Sequence, residues 1–325
     1  MDRLDRRGLL AALGAAALPQ PAPAQPLGRP VRLLVGLAPG GSVDSVARVF
    51  AERMRGGFAP QFLVENRSGA GGRLAVEAVK AAAPDGATVL LTPASMMTLY
   101  PHIYPRSTRY DALVDFVPVS PICISAYAFA VAAEHPARTL AEFAAWARTQ
   151  PDKVAFASPA AGSRLHLMGI RMAQLLGIGL THVPYRGSAP ALQDLVAGVL
   201  PAVLITLGEA TRAADGGLVR ILAHSGATRL PRRPELPSFA ELGLGELTAE
   251  DWYGLFLPAG AAPGLVQALY QATAAAVADA RFVAALERQE YRPEVATPAA
   301  FAARIREGRD RMGELVRETG FQPEE

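Results

Sequence analysis

Residues 31–48 read VRLLVGLAPGGSVDSVAR, and this stretch decides the fold. Val31, Leu33 and Val35 lie in a short apolar run, which reads as a buried strand. Pro39-Gly40-Gly41 breaks it. Ser42 and Asp44 then supply N-cap residue types for a helix through Val46, Ala47, Val49 and Phe50. A strand, a glycine turn and a helix start leave unpaired backbone N–H groups pointing into one small space. The helix dipole adds positive potential there, so the turn suits an anion.

The design recurs along the chain. Residues 62–65 read as a strand, Asn66-Arg67-Ser68-Gly69-Ala70-Gly71-Gly72 as its loop, and 74–82 as an alanine-rich helix. Two such turns on neighbouring parallel strands would face one crevice at the strands' carboxyl ends. A third strand over 88–91 leads into Thr92-Pro93-Ala94-Ser95, whose hydroxyls are either crevice groups or plain turn chemistry. Tyr100 and Tyr104 could wall a pocket or pack in a core. After a strand over 129–132, Thr139 and Glu142 form a capping-box pattern for a helix that ends near Gln150. Residues 154–157, the loop Ser158-Pro159-Ala160-Ala161-Gly162-Ser163 and a helix over 165–176 then repeat the opening design. Beyond them come His182-Val183-Pro184-Tyr185 and Arg186-Gly187-Ser188, a helix over 191–197, and strands over 202–207, 219–223 and 252–257. One helical run over 265–289 and a last helix from Thr297 to near Gly320 follow. Strands alternating with helices argue for α/β architecture, and the last helices return to cover the first domain.

The 325 residues are enough for two domains, half are hydrophobic, and 19% are charged, which describes a folding chain. A net charge of +2 without a basic, aromatic-studded stripe argues against nucleic acid. The first 24 residues read as a signal peptide: Arg3, Arg6 and Arg7, an apolar run over 8–18 too short to span a bilayer, and Ala22-Pro23-Ala24 as a cleavage site before Gln25. Arg6-Arg7-Gly8-Leu9-Leu10 resembles a twin-arginine signal, although Asp5 stands where Ser or Thr is usual, so the ordinary secretory route stays open. The expected location is the periplasm. Cys123, the only cysteine, lies in an apolar run and reads as a buried thiol.

Residues 36–42 approach a phosphate-binding P-loop, but Ser42 occupies the lysine position. No G-x-G-x-x-G follows the first strand, no serine sits in a nucleophile elbow, and histidines 102, 135, 166, 182 and 224 form no metal pair. No cofactor and no metal are expected. Asp44 reads as a first-turn charge, with contact to a ligand as its other reading. His166, just past a glycine-serine loop, could contact a ligand, cap a helix or pack. Glycine loops and hydroxyls without a catalytic set describe a hinged two-lobe binder.

An ordered set of motifs resembles the Bug (Bordetella uptake gene) family, the substrate-binding proteins of tripartite tricarboxylate transporters. Pro39-Gly40-Gly41-Ser42-Val43-Asp44 with Ala47-Arg48 is similar to the family's first loop, and residues 66–72 to its second. Asp115-Phe116-Val117-Pro118-Val119, Ser158 with Gly162-Ser163 and His166-Leu167, residues 182–187, and Trp252-Tyr253-Gly254 with Pro258-Ala259-Gly260 match in order. The resemblance implies a type II periplasmic-binding-protein fold, an α/β molecule of two lobes around a central ligand cleft, here 31–129 plus 251–325 and 130–250. It also implies a small carboxylate ligand, a membrane permease as partner, a monomer, and no catalysis. Carried over by position, Gly40, Gly41, Ser42, Gly71 and Gly72 hold one carboxylate, while Ser158, Gly162, Ser163 and His166, with Tyr185 as a further candidate, meet the far end. Ser68, Ala75 and Tyr100 depart from the family's usual proline, glycine and asparagine. Thr206 lies near a point where many relatives carry an aspartate, and the missing acid argues against amino-acid ligands. Two alternatives use the same residues: a periplasmic sensor partner of a membrane kinase, and a serine hydrolase with Ser42, Ser95 or Ser163 served by His166.

Overall fold

The computed structural model describes residues 27–159, 161–185, 187–230 and 232–322. The expected signal peptide lies outside them, as do Ala160 and Arg186 of the quoted loops. The first half of the chain runs β1 (Val31–Val35), α1 (Ser42–Arg53), β2 (Phe62–Asn66), a 3-10 turn (Ala70–Gly72), α2 (Arg73–Lys80), β3 (Thr88–Pro93), α3 (Ala94–Thr98), α4 (Tyr100–Ile103) and β4 (Phe116–Ala132). Then come α5 (Leu140–Arg148), β5 (Val154–Ser158), α6 (Arg164–Leu176), β6 (Leu180–Pro184), α7 (Ser188–Val196), β7 (Ala202–Thr206), α8 (Leu207–Asp215) and β8 (Val219–His224). Last are β9 (Glu250–Pro258), α9 (Pro263–Ala278), α10 (Ala280–Glu287), β10 (Tyr291–Pro293) and α11 (Pro298–Thr319).

Periodicity explains the helices. On α1, Val43, Val46, Ala47, Phe50 and Ala51 are buried, the i, i+3, i+4, i+7, i+8 stripe that must find a sheet. Phe50 meets the edges of Phe62 and Phe282 at 6.4 and 6.0 Å between ring centres. The sheet runs β2-β1-β3-β9-β4-β7-β5-β6, with β8 and β10 also on β4. β1 pairs in parallel with β2 and β3, and β5 in parallel with β6 and β7. The two halves therefore share one plan: the first strand is central, the second lies outside it, and the third lies inside. Connections from the first and third strands of each half leave in opposite directions. That topology opens a crevice at the carboxyl ends of β1 and β3, and another at those of β5 and β7. Each half packs a hydrophobic layer on both faces of its strands. α1, α9 and α10 lie on one face of the first half, and α2, α3 and α11 on the other. In the second half, α5 and α6 oppose α7 and α8.

Two expectations need correction. The strand expected over 129–132 begins at Phe116. Pro118 and Pro121 mask it in the sequence, because proline cannot donate to a ladder. The structure absorbs both prolines where the register against β9 shifts, between Pro118 and Ser120 and between Pro121 and Cys123. β4 then changes partner, pairing with β9 through Ala126 and with β7 from Tyr127. The helix expected over 265–289 is two helices. Asp279, in extended backbone, stops the first and caps the second, accepting from the N–H groups of Arg281 and Phe282 at 2.9 and 3.1 Å. α8 and β10 are not foreseen at all.

Candidate functional site

The first loop places Gly36–Gly41 at the carboxyl end of β1. Gly41, not Ser42 or Asp44, is the N-cap of α1, and no side chain caps the helix. The first-turn N–H groups therefore have no intrahelical acceptor. Asp44 turns inward: its Oδ2 accepts from the Gly40 N–H and from Arg48 Nε, both at 2.9 Å, and the residue is 3% exposed. Burial pushes this carboxyl up, but the Arg48 guanidinium and the Gly40 N–H outweigh burial and hold it below the usual carboxylate range. Asp44 thus braces the turn with its own charge. Ser42 Oγ accepts from the Tyr253 hydroxyl at 3.3 Å, and Tyr253 meets the Tyr291 hydroxyl at 3.0 Å.

The second loop lies against the first. A Cβ on Gly36 would stand 2.6 Å from the Gly72 carbonyl oxygen, so only glycine permits this approach. Gly72 is the N-cap of α2, again without a side-chain cap. Gly71 faces Tyr100, whose hydroxyl would lie 3.2 Å from a Cβ placed there. Burial, with neighbouring Tyr104 adding, pushes Tyr100 up to about 12 against the opposing charge of Arg73. Arg73, the first residue of α2, lays its guanidinium 4.4 Å from the centre of the Tyr104 ring and 5.8 Å from that of Tyr100. No acidic group among the described residues pairs with it. Ser95 is half-buried in the first turn of α3, just past β3.

Across the crevice, Ser158 ends β5. Its Oγ lies 2.7 Å from His182 Nε2 and 3.4 Å from Ser163 Oγ. Ser163 caps α6 by accepting the His166 N–H at 3.2 Å. The imidazoles of His166 and His182 stack at 3.6 Å and 16°. His166 Nδ1 accepts the Gly162 N–H at 3.1 Å, which puts the proton of the neutral ring on Nε2. Burial pushes His166 down to about 4, and burial with its stacked neighbour pushes His182 down to about 3. Both rings are neutral at pH 7. Tyr104 joins the halves: its hydroxyl donates to the Ala161 carbonyl at 3.2 Å, and Ile103 and Tyr104 pack on Gly162.

Most of the sequence-derived residues thus fall on two facing walls. Gly40, Gly41, Ser42, Gly71 and Gly72 share one wall, and Ser158, Gly162, Ser163 and His166 share the facing one. Asp44 and Tyr185 turn away, the Tyr185 hydroxyl donating to Asp194 at 2.5 Å. Three features were not foreseen: Arg73, the paired hydroxyls of Tyr253 and Tyr291, and Glu209. The Ser188 and Thr206 hydroxyls both donate to Glu209 Oε2 at 2.6 Å. Thr206 and Glu209 form a T-x-x-E pattern, the one sequence signal that marks the start of α8.

The family model described as "Tripartite tricarboxylate transporter family receptor" matches residues 46–321. Protein BugT of Bordetella pertussis is 31% identical over 313 residues, 96% of this chain and 96% of that protein. Among solved structures, Rpa4515 of R. palustris with adipate superposes with a TM-score of 0.84 at 27% identity, covering 91% of this chain and 99% of that one. The periplasmic binding protein BugD superposes with a TM-score of 0.81 at 29% identity, covering 90% and 98%.

Proposed function

Since the chain belongs to the tripartite tricarboxylate transporter receptor family, we propose that it is an extracytoplasmic receptor for a small organic acid, delivering it to membrane permease subunits. One observation carries this reading. The uncapped starts of α1 and α2 stand at strand ends in one half, facing the Ser158–Ser163 wall of the other, with Tyr104 spanning the gap. One carboxylate of the ligand lies on the N–H groups and hydroxyl of Gly40, Gly41, Ser42, Gly71 and Gly72, with Arg73 as the nearby cation. Ser158, Gly162, Ser163 and His166 meet the far end, Ser95 walls one side, and Asp44 holds the first turn in shape. The halves act as lobes, 31–129 plus 251–325 and 130–250, that close on the acid. A signal peptide over 1–24, cleaved near Ala24, brings the monomer to the periplasm. A charge-assisted hydrogen bond contributes about 1.5–3 kcal/mol, so several on one carboxylate reach micromolar binding, about −8 kcal/mol, after association costs.

The serine–histidine contact does not favour hydrolysis. It joins Ser158 to His182, not Ser42, Ser95 or Ser163 to His166, and a ring held down to about 3 is a weak base near neutrality.

A thermal-shift panel of mono-, di- and tricarboxylates, aromatic acids and amino acids tests the proposal. An acid at a hundred times its Kd stabilises by about 2.7 kcal/mol, a rise of a few degrees. In Gly41→Leu that rise disappears while the protein stays folded, because a Cβ there meets only the Ala38 carbonyl, at 3.3 Å. A flat panel, with no small molecule released on denaturation, overturns the reading.

A further inference from the structure

Glu209 departs from the pattern its sequence announces. In a capping box the Thr206 hydroxyl would accept a first-turn N–H of α8. Instead it donates to Glu209 Oε2, and so does Ser188 from the start of α7. Both hydroxyls converge on one oxygen. Oε1 accepts no hydrogen bond, is not sealed away from open space, and no Lys, Arg or His among the described residues pairs with this carboxylate. A half-buried anion is thereby held by two neutral donors with one oxygen left over.

Its place in the fold is the crevice. Thr206 ends β7, beside β5, whose own end carries Ser158. The start of α8 abuts the connector to β10: a Cβ on Gly208 would stand 2.0 Å from the Gln289 carbonyl oxygen. Gln289 Oε1 in turn accepts from Ser45 in the first turn of α1, at 3.0 Å. The starts of α1 and α8 therefore face each other across one residue. Burial keeps the Tyr291 hydroxyl neutral, and the Glu209 charge is close enough to push it the same way. Tyr291 meets Tyr253, which donates to Ser42. Glu209 thus belongs to the half that carries Ser158 and faces, across the crevice, the wall that we assign to the ligand's carboxylate.

Resting on that assignment, we propose that Glu209 selects the ligand, so that the receptor takes a carboxylic acid bearing a hydrogen-bond donor, an ammonium or a hydroxyl, at its far end. A bare carboxylate at that end would face a like charge, and an apolar end would leave Oε1 without a donor in a desolvated site. The Thr206 position therefore does not argue against amino acids, because the acid comes from one helical turn further on.

The test is calorimetry with unmodified protein on matched acids of three to six carbons whose terminal group is hydrogen, hydroxyl, ammonium or a second carboxylate. The donor-bearing acid of the preferred length binds at least tenfold tighter than both its unsubstituted and its dicarboxylate partner. In Glu209→Gln, which keeps the shape and still accepts from both hydroxyls, the advantage of ammonium over the second carboxylate falls at least tenfold. Preference for the dicarboxylate or the unsubstituted acid in the unmodified protein overturns the proposal, and needs no variant to fold. Tight dicarboxylate binding would leave the receptor reading standing while this inference falls. No binding of any acid would remove both.

Discussion

His166 and His182 show how two single residues make the second wall pH-sensitive. An unstructured histidine titrates near 6.5. In the folded protein burial holds His166 down to about 4 and, with the neighbouring imidazole, His182 down to about 3. Between those values and about 6.5 the unfolded chain binds protons that the folded chain refuses, so folding loses free energy as pH falls. Above about 6.5 both states are neutral and the pair adds no pH dependence. Stability measured by urea denaturation should therefore decline between about pH 6.5 and 4, by about 1–3 kcal/mol once the shifts are discounted for solvent screening of these partly exposed rings. The double variant His166→Gln/His182→Asn should decline less. Equal declines in the two proteins would mean that the rings are not buried as a neutral pair. Much of this wall was legible as a pattern: Ser158, Gly162, Ser163 and His166 stand where a strand gives way to a helix. The stacking was not legible, because His182 lies on a different strand and only the β5–β6 register, Phe156 opposite His182, brings it alongside.

Elements were legible where glycine, proline and hydroxyls punctuate apolar runs, and illegible where the punctuation sits inside an element or is missing. Pro118 and Pro121 concealed most of β4. The three residues of β10 are too few to show a period. Within the alanine-rich 265–289 run, Asp279 reads as one more surface charge, yet it ends one helix and caps the next. That distinction has an energetic consequence. Removing an N-cap carboxylate typically costs about 1 kcal/mol, and here it frees the start of α10. α10 carries Phe282, fully buried against Phe50 of α1, so a loosened start is felt in the core of the first half. Asp279→Ala should lower unfolding free energy by about 0.5–2 kcal/mol in chemical denaturation. Ligand affinity should be unchanged, since the cap lies on the helices that cover α1's outer side. Undiminished stability would mean that the break is set by packing and not by the cap.

At the scale of the molecule, two copies of one plan are joined through β4 and β9, and each presents its strand ends to the other. The sequence shows the repetition but not the facing: nothing in residues 99–104 says that Tyr104 will reach Ala161 or carry the Arg73 guanidinium. Those placements follow from strand order, which local patterns do not encode. Tyr104 is where the facing can be tested. Its ring carries the Arg73 guanidinium, and its hydroxyl donates to Ala161 in the other half. Tyr104→Phe keeps the ring and removes the hydroxyl, which separates the two roles. A hydrogen bond of this kind is worth about 1 kcal/mol net, and it counts toward ligand affinity only if the halves must come together for binding. If closure is part of binding, the variant should lose about fivefold in affinity, measured by calorimetry, while its unliganded melting temperature changes little. Small-angle scattering should still show compaction at saturating acid, because the acid itself draws the walls together. Unchanged affinity would mean that the crevice is already fixed by β4 and β9, and that the receptor binds without closing.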